Sequence, residues 1–229
     1  MKQDLLRRLI AEGLGTLLLV CTVVGSGIMA DKLTDDVALA LLGNTIPTGA
    51  ILVVLITIFG PISGAHFNPA VSLVMALRGE LRWAELAPYV VLQSVGAVLG
   101  SMVAHGMFDL SVVQYSTTSR TGGAQWFAEG VATFGLLMTI LGAVRFRSES
   151  VAVMVGLYIT AAYWFTASTS FANPAVTIGR AFTDTFAGIA PVDVSSFILA
   201  QIAGALVALV IAGVLFTPAT DAETAEAEA

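Results

Sequence analysis

Ser63-Gly64-Ala65-His66-Phe67-Asn68-Pro69-Ala70-Val71 and Thr169-Ser170-Phe171-Ala172-Asn173-Pro174-Ala175-Val176 carry the same core twice. Each puts Asn-Pro-Ala-Val at the head of a short apolar run, Ser72 to Leu77 in the first copy and Thr177 to Phe182 in the second. Asn is a favoured helix N-cap, because its side-chain oxygen takes a backbone N–H that the first turn leaves free. Pro fits the first helical position, where no N–H is needed. The residue before Pro is held out of the helical region, so the helix cannot run backward through Asn. Each copy therefore predicts a helix of about ten residues, roughly 15 Å long at ~1.5 Å per residue. That is about half of a ~30 Å hydrocarbon core. Two such half-helices, meeting at their N-termini near mid-membrane, together make one span.

The rest of the chain agrees with a bilayer setting. It has 229 residues, 57% hydrophobic and 11% charged, where a soluble domain carries about 25% charged residues. Apolar runs long enough to cross, or nearly so, occur at Leu9–Met29, Val37–Gly60, Trp83–Ala104, Trp126–Val144, Val151–Ala167 and Val194–Phe216. The expected fold is all-α: six transmembrane helices plus two half-helices, in one channel domain over 1–217. The single cysteine, Cys21, excludes a disulfide within the chain and is expected to be a small buried residue. No basic patch suits nucleic acid, and no acid pair, His cluster or Ser/His arrangement sits at catalytic spacing, so no enzyme, cofactor or metal is expected. Residues 218–229 carry four acids and no bases and read as an acidic disordered tail. The polar start, Met1 to Arg8, reads as the flank of a retained first span rather than a removed signal.

Lys and Arg placement sets the expected orientation. With the N-terminus inside, the inner segments hold Lys2, Arg7, Arg8, Arg78, Arg82, Arg145 and Arg147, and the outer ones hold Lys32, Arg120 and Arg180. Seven against three favours both termini on the cytoplasmic side of the cell's inner (plasma) membrane.

The Asn-Pro-Ala copies belong to a longer repeat. Glu12-Gly-Leu-Gly-Thr16 opens span one and Glu129-Gly-Val-Ala-Thr133 opens span four. Gln93-Ser-Val-Gly-Ala lies in span three and Gln201-Ile-Ala-Gly-Ala in span six. The offsets, 129 − 12 = 117, 173 − 68 = 105 and 201 − 93 = 108, keep the order and change only loop lengths. Repeat one covers about 1–110 and repeat two about 123–217. Each has three spans, an odd number, so the second half is inverted and the two half-helices meet head to head.

Non-helical backbone at membrane depth is tolerated only when buried in protein or lining a watery cavity. The segments before Asn68 and Asn173 are therefore expected to line a lumen. Two helix N-termini facing one point disfavour cations and tolerate neutral polar solutes. The Asn amides donate into that lumen while their oxygens cap the helices, and the extended segments offer carbonyls as a ladder of acceptors.

From Glu12 to about Phe216 the chain resembles the aquaporin (major intrinsic protein) family. The resemblance rests on both Asn-Pro-Ala boxes (Asn68, Pro69, Ala70; Asn173, Pro174, Ala175), on Ser-Gly-Ala-His-Phe before the first, and on the repeated Glu and Gln positions. It implies six spanning helices, a pore through each subunit and a homotetramer. It also implies that Glu12 and Glu129 are structural, holding the half-helix loops by hydrogen bonds. The family's usual Arg after the second box is Val176 here. By spacing from the boxes the filter falls on Thr48, Ala161 (with Thr160 as the alternative), Ser170 and Val176, all small, so the filter is expected to be wide and uncharged. A similar Val resembles a bacterial branch associated with arsenical resistance.

His66 reads equally as a pore-lining or a packing residue, and His105 is expected at the interface. Arg180, four residues past Val176, reads as a snorkelling arginine paired with Asp184, the alternative being a partial substitute for the filter charge. The leading function is a passive channel for water, glycerol- or urea-like solutes and uncharged arsenic species, excluding protons and ions. A secondary transporter and a strict water channel are the alternatives.

Overall fold

The structure, a computed structural model, describes residues 4–216; the acidic tail lies outside the described residues. Eight α-helices follow one another: α1 (Leu5–Leu33), α2 (Val37–Ser63), α3 (Pro69–Leu77), α4 (Trp83–Met107), α5 (Gly123–Phe146), α6 (Val151–Phe165), α7 (Pro174–Arg180) and α8 (Val194–Leu215). α1, α2, α4, α5 and α8 are long and apolar enough to cross a membrane. α6 has only 15 residues, roughly 22 Å at ~1.5 Å per residue. It ends two residues before the expected Ala167, because Thr166 turns to extended backbone and the chain dips toward the second box. Among the described residues the architecture is all-helical, six long helices enclosing two short ones.

The half-helices start where the cap chemistry puts them. Asn68 caps α3 and Asn173 caps α7, each in extended conformation with Pro at the first helical position. α3 has nine residues, but α7 has only seven, shorter than expected. α7 stops at Arg180 because the backbone there closes into tight turns, Ala181 N to Ile178 O and Phe182 N to Gly179 O.

Helix packing repeats in the two halves. In the first, α1 packs on α2 and α4; in the second, α5 packs on α6 and α8. Both depend on glycine at a backbone crossing. A Cβ on Gly96 would stand 2.3 Å from the Gly13 carbonyl oxygen, and one on Gly204 would stand 2.1 Å from that of Gly130. These pairs keep the repeat's offsets, 130 − 13 = 117 and 204 − 96 = 108. Such small-residue contacts replace the hydrophobic drive that helices lack within lipid. The halves meet at a similar crossing of α2 and α6, where a Cβ on Gly156 would stand 2.7 Å from the Gly49 carbonyl oxygen.

The outside of this bundle is apolar. Leu6, Ile10, Leu14 and Leu18 are all exposed, spaced by four along one face of α1. Val91, Val95, Leu99 and Val103 do the same on α4. Such stripes would be a liability in water and suit a lipid-facing surface.

Candidate functional site

Two buried carboxylates position the site. Glu12 and Glu129 are fully buried. Glu12 Oε1 accepts from Ser63 Oγ at 2.6 Å and the His66 N–H at 3.0 Å, and Oε2 accepts from the Phe67 N–H and Gln93 Nε2, both at 2.7 Å. Glu129 Oε1 accepts from the Phe171 N–H at 2.8 Å, and Oε2 from the Ala172 N–H at 2.9 Å and Gln201 Nε2 at 2.6 Å. Each Gln passes the bond on, Gln93 Nε2 to Ser72 Oγ and Gln201 Nε2 to Thr177 Oγ1, both at 2.9 Å. The carboxylates thus tie a long helix, a half-helix and the loop before it into one unit in each repeat.

The loops need such ties. Ala65, Phe67, Thr169, Ser170 and Ala172 all have φ between 47° and 61°, a left-handed region that side-chain-bearing residues rarely adopt. Each such residue costs about 1–3 kcal/mol and persists only when its surroundings over-determine it. Fixed carboxylates with several acceptor sites supply that constraint.

The two Asn residues cross-bond the repeats. Asn68 Oδ1 accepts the Ala70 N–H at 2.9 Å, while its Nδ2 donates to the Ala172 carbonyl at 2.8 Å. Asn173 Oδ1 accepts from the Ala175 and Val176 N–H groups at 2.9 and 3.2 Å, and its Nδ2 donates to the Phe67 carbonyl at 2.8 Å. One N–H of each amide is therefore spent on the opposite loop rather than in the lumen, and the other remains. Phe67 and Ala172 also lend a carbonyl each to this brace instead of to the expected acceptor ladder.

A cavity of about 270 Å³ runs past this brace, with Asn68 and Asn173 both in its wall. Toward the face where α1 starts it is bordered by His66, Glu80, Val144 and Val151; toward the opposite face it is bordered by Thr48, Tyr163, Ser170, Val176 and Arg180. Glu12 and Glu129 are not in the wall. His66 is, with its Nδ1 3.1 Å from Ser72 Oγ.

Four expectations need correction. Ala161 is exposed on the outside of α6 and does not border the cavity; Val155, Ile159 and Tyr163 do, spaced by four along the inward face. Thr160 faces α2, with its hydroxyl against Gly49. The wall facing Thr48 is thus Tyr163, whose hydroxyl lies 3.3 Å from Thr48 Oγ1. Counting back from the box failed because the extended loop ahead of it shifts the register.

Arg180 does not snorkel. It is 2% exposed, borders the cavity, and lays its guanidinium 3.4 Å above the Phe171 ring centroid. Asp184 is engaged elsewhere, accepting from Thr117 N–H and Oγ1. This part of the wall is therefore neither uncharged nor uniformly small. Arg120 lies over the same ring, 5.1 Å away, donating from Nε to the Gly188 carbonyl. Burial pushes its pKa down from the ordinary value while Glu129 and Tyr163 push it up; arginine remains cationic at neutral pH.

His105 is fully buried rather than interfacial. Its Nδ1–H donates to the Val112 carbonyl, so its Nε2 accepts from Thr183 Oγ1 at 2.8 Å. Cys21 is only half-buried and stands outside the cavity, against Gly100 where α1 crosses α4.

The sequence pattern of major intrinsic proteins matches residues 1–151. The aquaglyceroporin AqpS of Rhizobium meliloti (strain 1021) is 62% identical over 216 residues, 94% of this chain and 93% of that protein. The chain belongs to the major intrinsic protein family. A probable NIP-type aquaporin of Nicotiana alata is 31% identical over 184 residues, 77% of this chain and 67% of that one. The X-ray structure of the aquaglyceroporin from Plasmodium falciparum has the same fold, with a TM-score of 0.69 over 91% of this chain and 95% of that one at 23% identity. As a member of this family the chain is a multi-pass membrane channel and not an enzyme.

Proposed function

We propose that the chain is a passive pore for water and small neutral solutes of glycerol or urea size, with uncharged arsenic species among them. The observation that carries this reading is the single cavity bordered by both Asn68 and Asn173, each amide bonded across to the other repeat. After those bonds each amide keeps one donor, while both oxygens cap helices. A water or hydroxyl at the waist that accepts from both amides interrupts a proton-conducting chain. The likeness to an aquaglyceroporin over nearly the whole chain supports solutes larger than water, and Val176 supports the arsenical-associated branch. Secondary transport would need a free ionisable group coupled to the path; Glu12 and Glu129 are saturated by hydrogen bonds outside the wall, and of the groups in the wall at the inner end Glu80 pairs with Arg78 and His66 bonds Ser72 Oγ.

The filter comprises Thr48, Tyr163, Ser170 and Val176, with His66 lining the opposite end. One channel domain over 1–217, both termini in the cytoplasm, an inner-membrane location and a homotetramer with four separate pores complete the proposal. The Lys and Arg asymmetry supports the orientation, and family likeness supports the tetramer. Native mass analysis in mild detergent should give the tetramer mass; monomers alone would refute it.

The filter is tested by Val176→Arg combined with Thr48→Phe, which add a long cation and a ring to that end of the cavity. In proteoliposomes the glycerol-to-water permeability ratio should fall about tenfold or more, a barrier increase of about 1.4 kcal/mol. An unchanged ratio would place the constriction elsewhere.

A further inference from the structure

The cavity carries two polar atoms that the protein leaves unsatisfied. Five buried side-chain atoms among the described residues have no hydrogen-bond partner: Gln93 Oε1, Gln125 Oε1, Ser170 Oγ, Arg180 Nη1 and Gln201 Oε1. Only Ser170 and Arg180 belong to cavity-wall residues. Both are 2% exposed; Ser170 lies in the loop ahead of the second box and Arg180 ends the half-helix behind it. A buried donor without a partner is costly, more so when charged. Such groups persist where a ligand completes them.

Arg180 is held in place by other atoms than the unsatisfied one. Its Nε donates to the Ala187 carbonyl, and its guanidinium stacks on Phe171. The backbone beneath it is pinned: Ser101 Oγ donates to the Gly179 carbonyl at 2.8 Å, and Ile189 N–H donates to the Arg180 carbonyl at 3.2 Å. A Cβ on Gly179 would stand 2.7 Å from the Ala97 carbonyl oxygen, so α7 lies hard against α4. Val176 lies one turn back on the same face of α7. Its side chain is short and neutral, and it shares the cavity wall with Arg180.

We propose that Arg180 and Ser170 form a solute-orienting site, with Arg180 supplying from one turn further along α7 the fixed cation that Val176 does not. The proposal rests on the reading of the chain as a neutral-solute pore and names the class of solute the site takes: uncharged molecules carrying more than one hydroxyl. One hydroxyl oxygen accepts from Arg180 Nη1. A second hydroxyl bonds Ser170 Oγ, which both donates and accepts. The carbon edge of the solute lies along Val176 and Val23, apolar members of the same wall. Arg180 and Arg120 share the Phe171 ring, and no acid stands within ion-pair distance of either among the described residues. The unpaired Arg180 guanidinium in the wall, with Arg120 behind it on the same ring, repels cations although Val176 is neutral.

The test uses full-length protein in proteoliposomes, comparing wild type with Arg180→Met, Arg180→Lys and Ser170→Ala. Light scattering gives glycerol and water permeability, and an entrapped potassium dye gives cation leak. Arg180→Met should lower the glycerol-to-water ratio about tenfold or more and open a potassium leak, as expected for losing a charged hydrogen bond and a fixed cation. Arg180→Lys keeps the charge without the planar fork and should stay tight to potassium with a lowered ratio. Ser170→Ala should lower the ratio about fivefold, the effect of one neutral hydrogen bond. A purely structural Arg180 would scale glycerol and water flow together and leave the ratio at the wild-type value, which would overturn the proposal. If Arg180→Met is not recovered folded, Ser170→Ala decides: a ratio within about twofold of wild type counts against the site, given that one hydrogen bond predicts more. A wild type that passes no glycerol overturns the functional reading first, and this site with it.

Discussion

Glu129→Ala should leave little folded channel in the membrane. The substitution strands the N–H groups of Phe171 and Ala172 and one of the two Nε2–H groups of Gln201, each now bonded to that carboxylate. Each buried donor left without a partner costs about 1–3 kcal/mol, so the sum is about 3–9 kcal/mol against a typical folding stability of about 5–15 kcal/mol. The loop also loses the constraint that holds Thr169, Ser170 and Ala172 at positive φ. Glu12→Ala should behave alike, because Ser63, His66, Phe67 and Gln93 depend on it in the same way. Glu129→Gln keeps the shape but turns one acceptor oxygen into a donor that faces other donors; its effect should be smaller. Thermal unfolding in detergent, read by loss of the monodisperse peak in size-exclusion chromatography, checks this. Glu129→Ala at wild-type yield and midpoint would mean that the carboxylate does not hold the loop.

Gly204→Val should fail for a different reason. Its Cβ would arrive 2.1 Å from the Gly130 carbonyl oxygen, a backbone atom that no side-chain rotation removes. α5 and α8 must then separate. Overpacking of this kind typically costs about 1–3 kcal/mol, occasionally more, and a displaced α8 also carries Gln201 away from Glu129 and Thr177. Gly96→Val should reproduce the effect between α1 and α4, where the clash is with Gly13. Gly106→Val is the control, since Gly106 is exposed and nothing among the described residues stands within 4 Å of a Cβ there. Comparable midpoints for Gly204→Val and Gly106→Val would show that the crossing is not tight.

These pairs also mark what the sequence could say. Gly96 and Gly204 each stand three residues after the Gln of their repeat, so the internal duplication marks them as equivalent positions. The same holds for the half-helix starts, because Asn-Pro capping is local chemistry that needs no tertiary context. Side-chain direction in α6 was a different matter. Val151 to Phe165 is apolar on every side, so no polar stripe separates Tyr163 from Ala161. The inward face is set by the crossing at Gly49 and Gly156, which sequence spacing cannot orient. Arg180 was hidden for a related reason. An arginine near the end of a membrane helix ordinarily snorkels; this one is drawn inward by Phe171 and the Ala187 carbonyl, partners brought by loops whose path no periodicity encodes. His105 likewise is buried by Val112 and Thr183, the second of them 78 residues away in the chain.

The central claim is that the cavity past Asn68 and Asn173 carries neutral solutes passively and stops protons. One preparation tests it: wild-type proteoliposomes with an entrapped pH dye, given a glycerol gradient in one run and a potassium-diffusion potential with a protonophore-free buffer in the other. Glycerol should enter far faster than into protein-free liposomes, at a rate independent of any imposed pH gradient, while internal pH drifts no faster than in the protein-free control. Glycerol entry that follows the proton gradient, or internal pH that tracks the potential, would contradict the account.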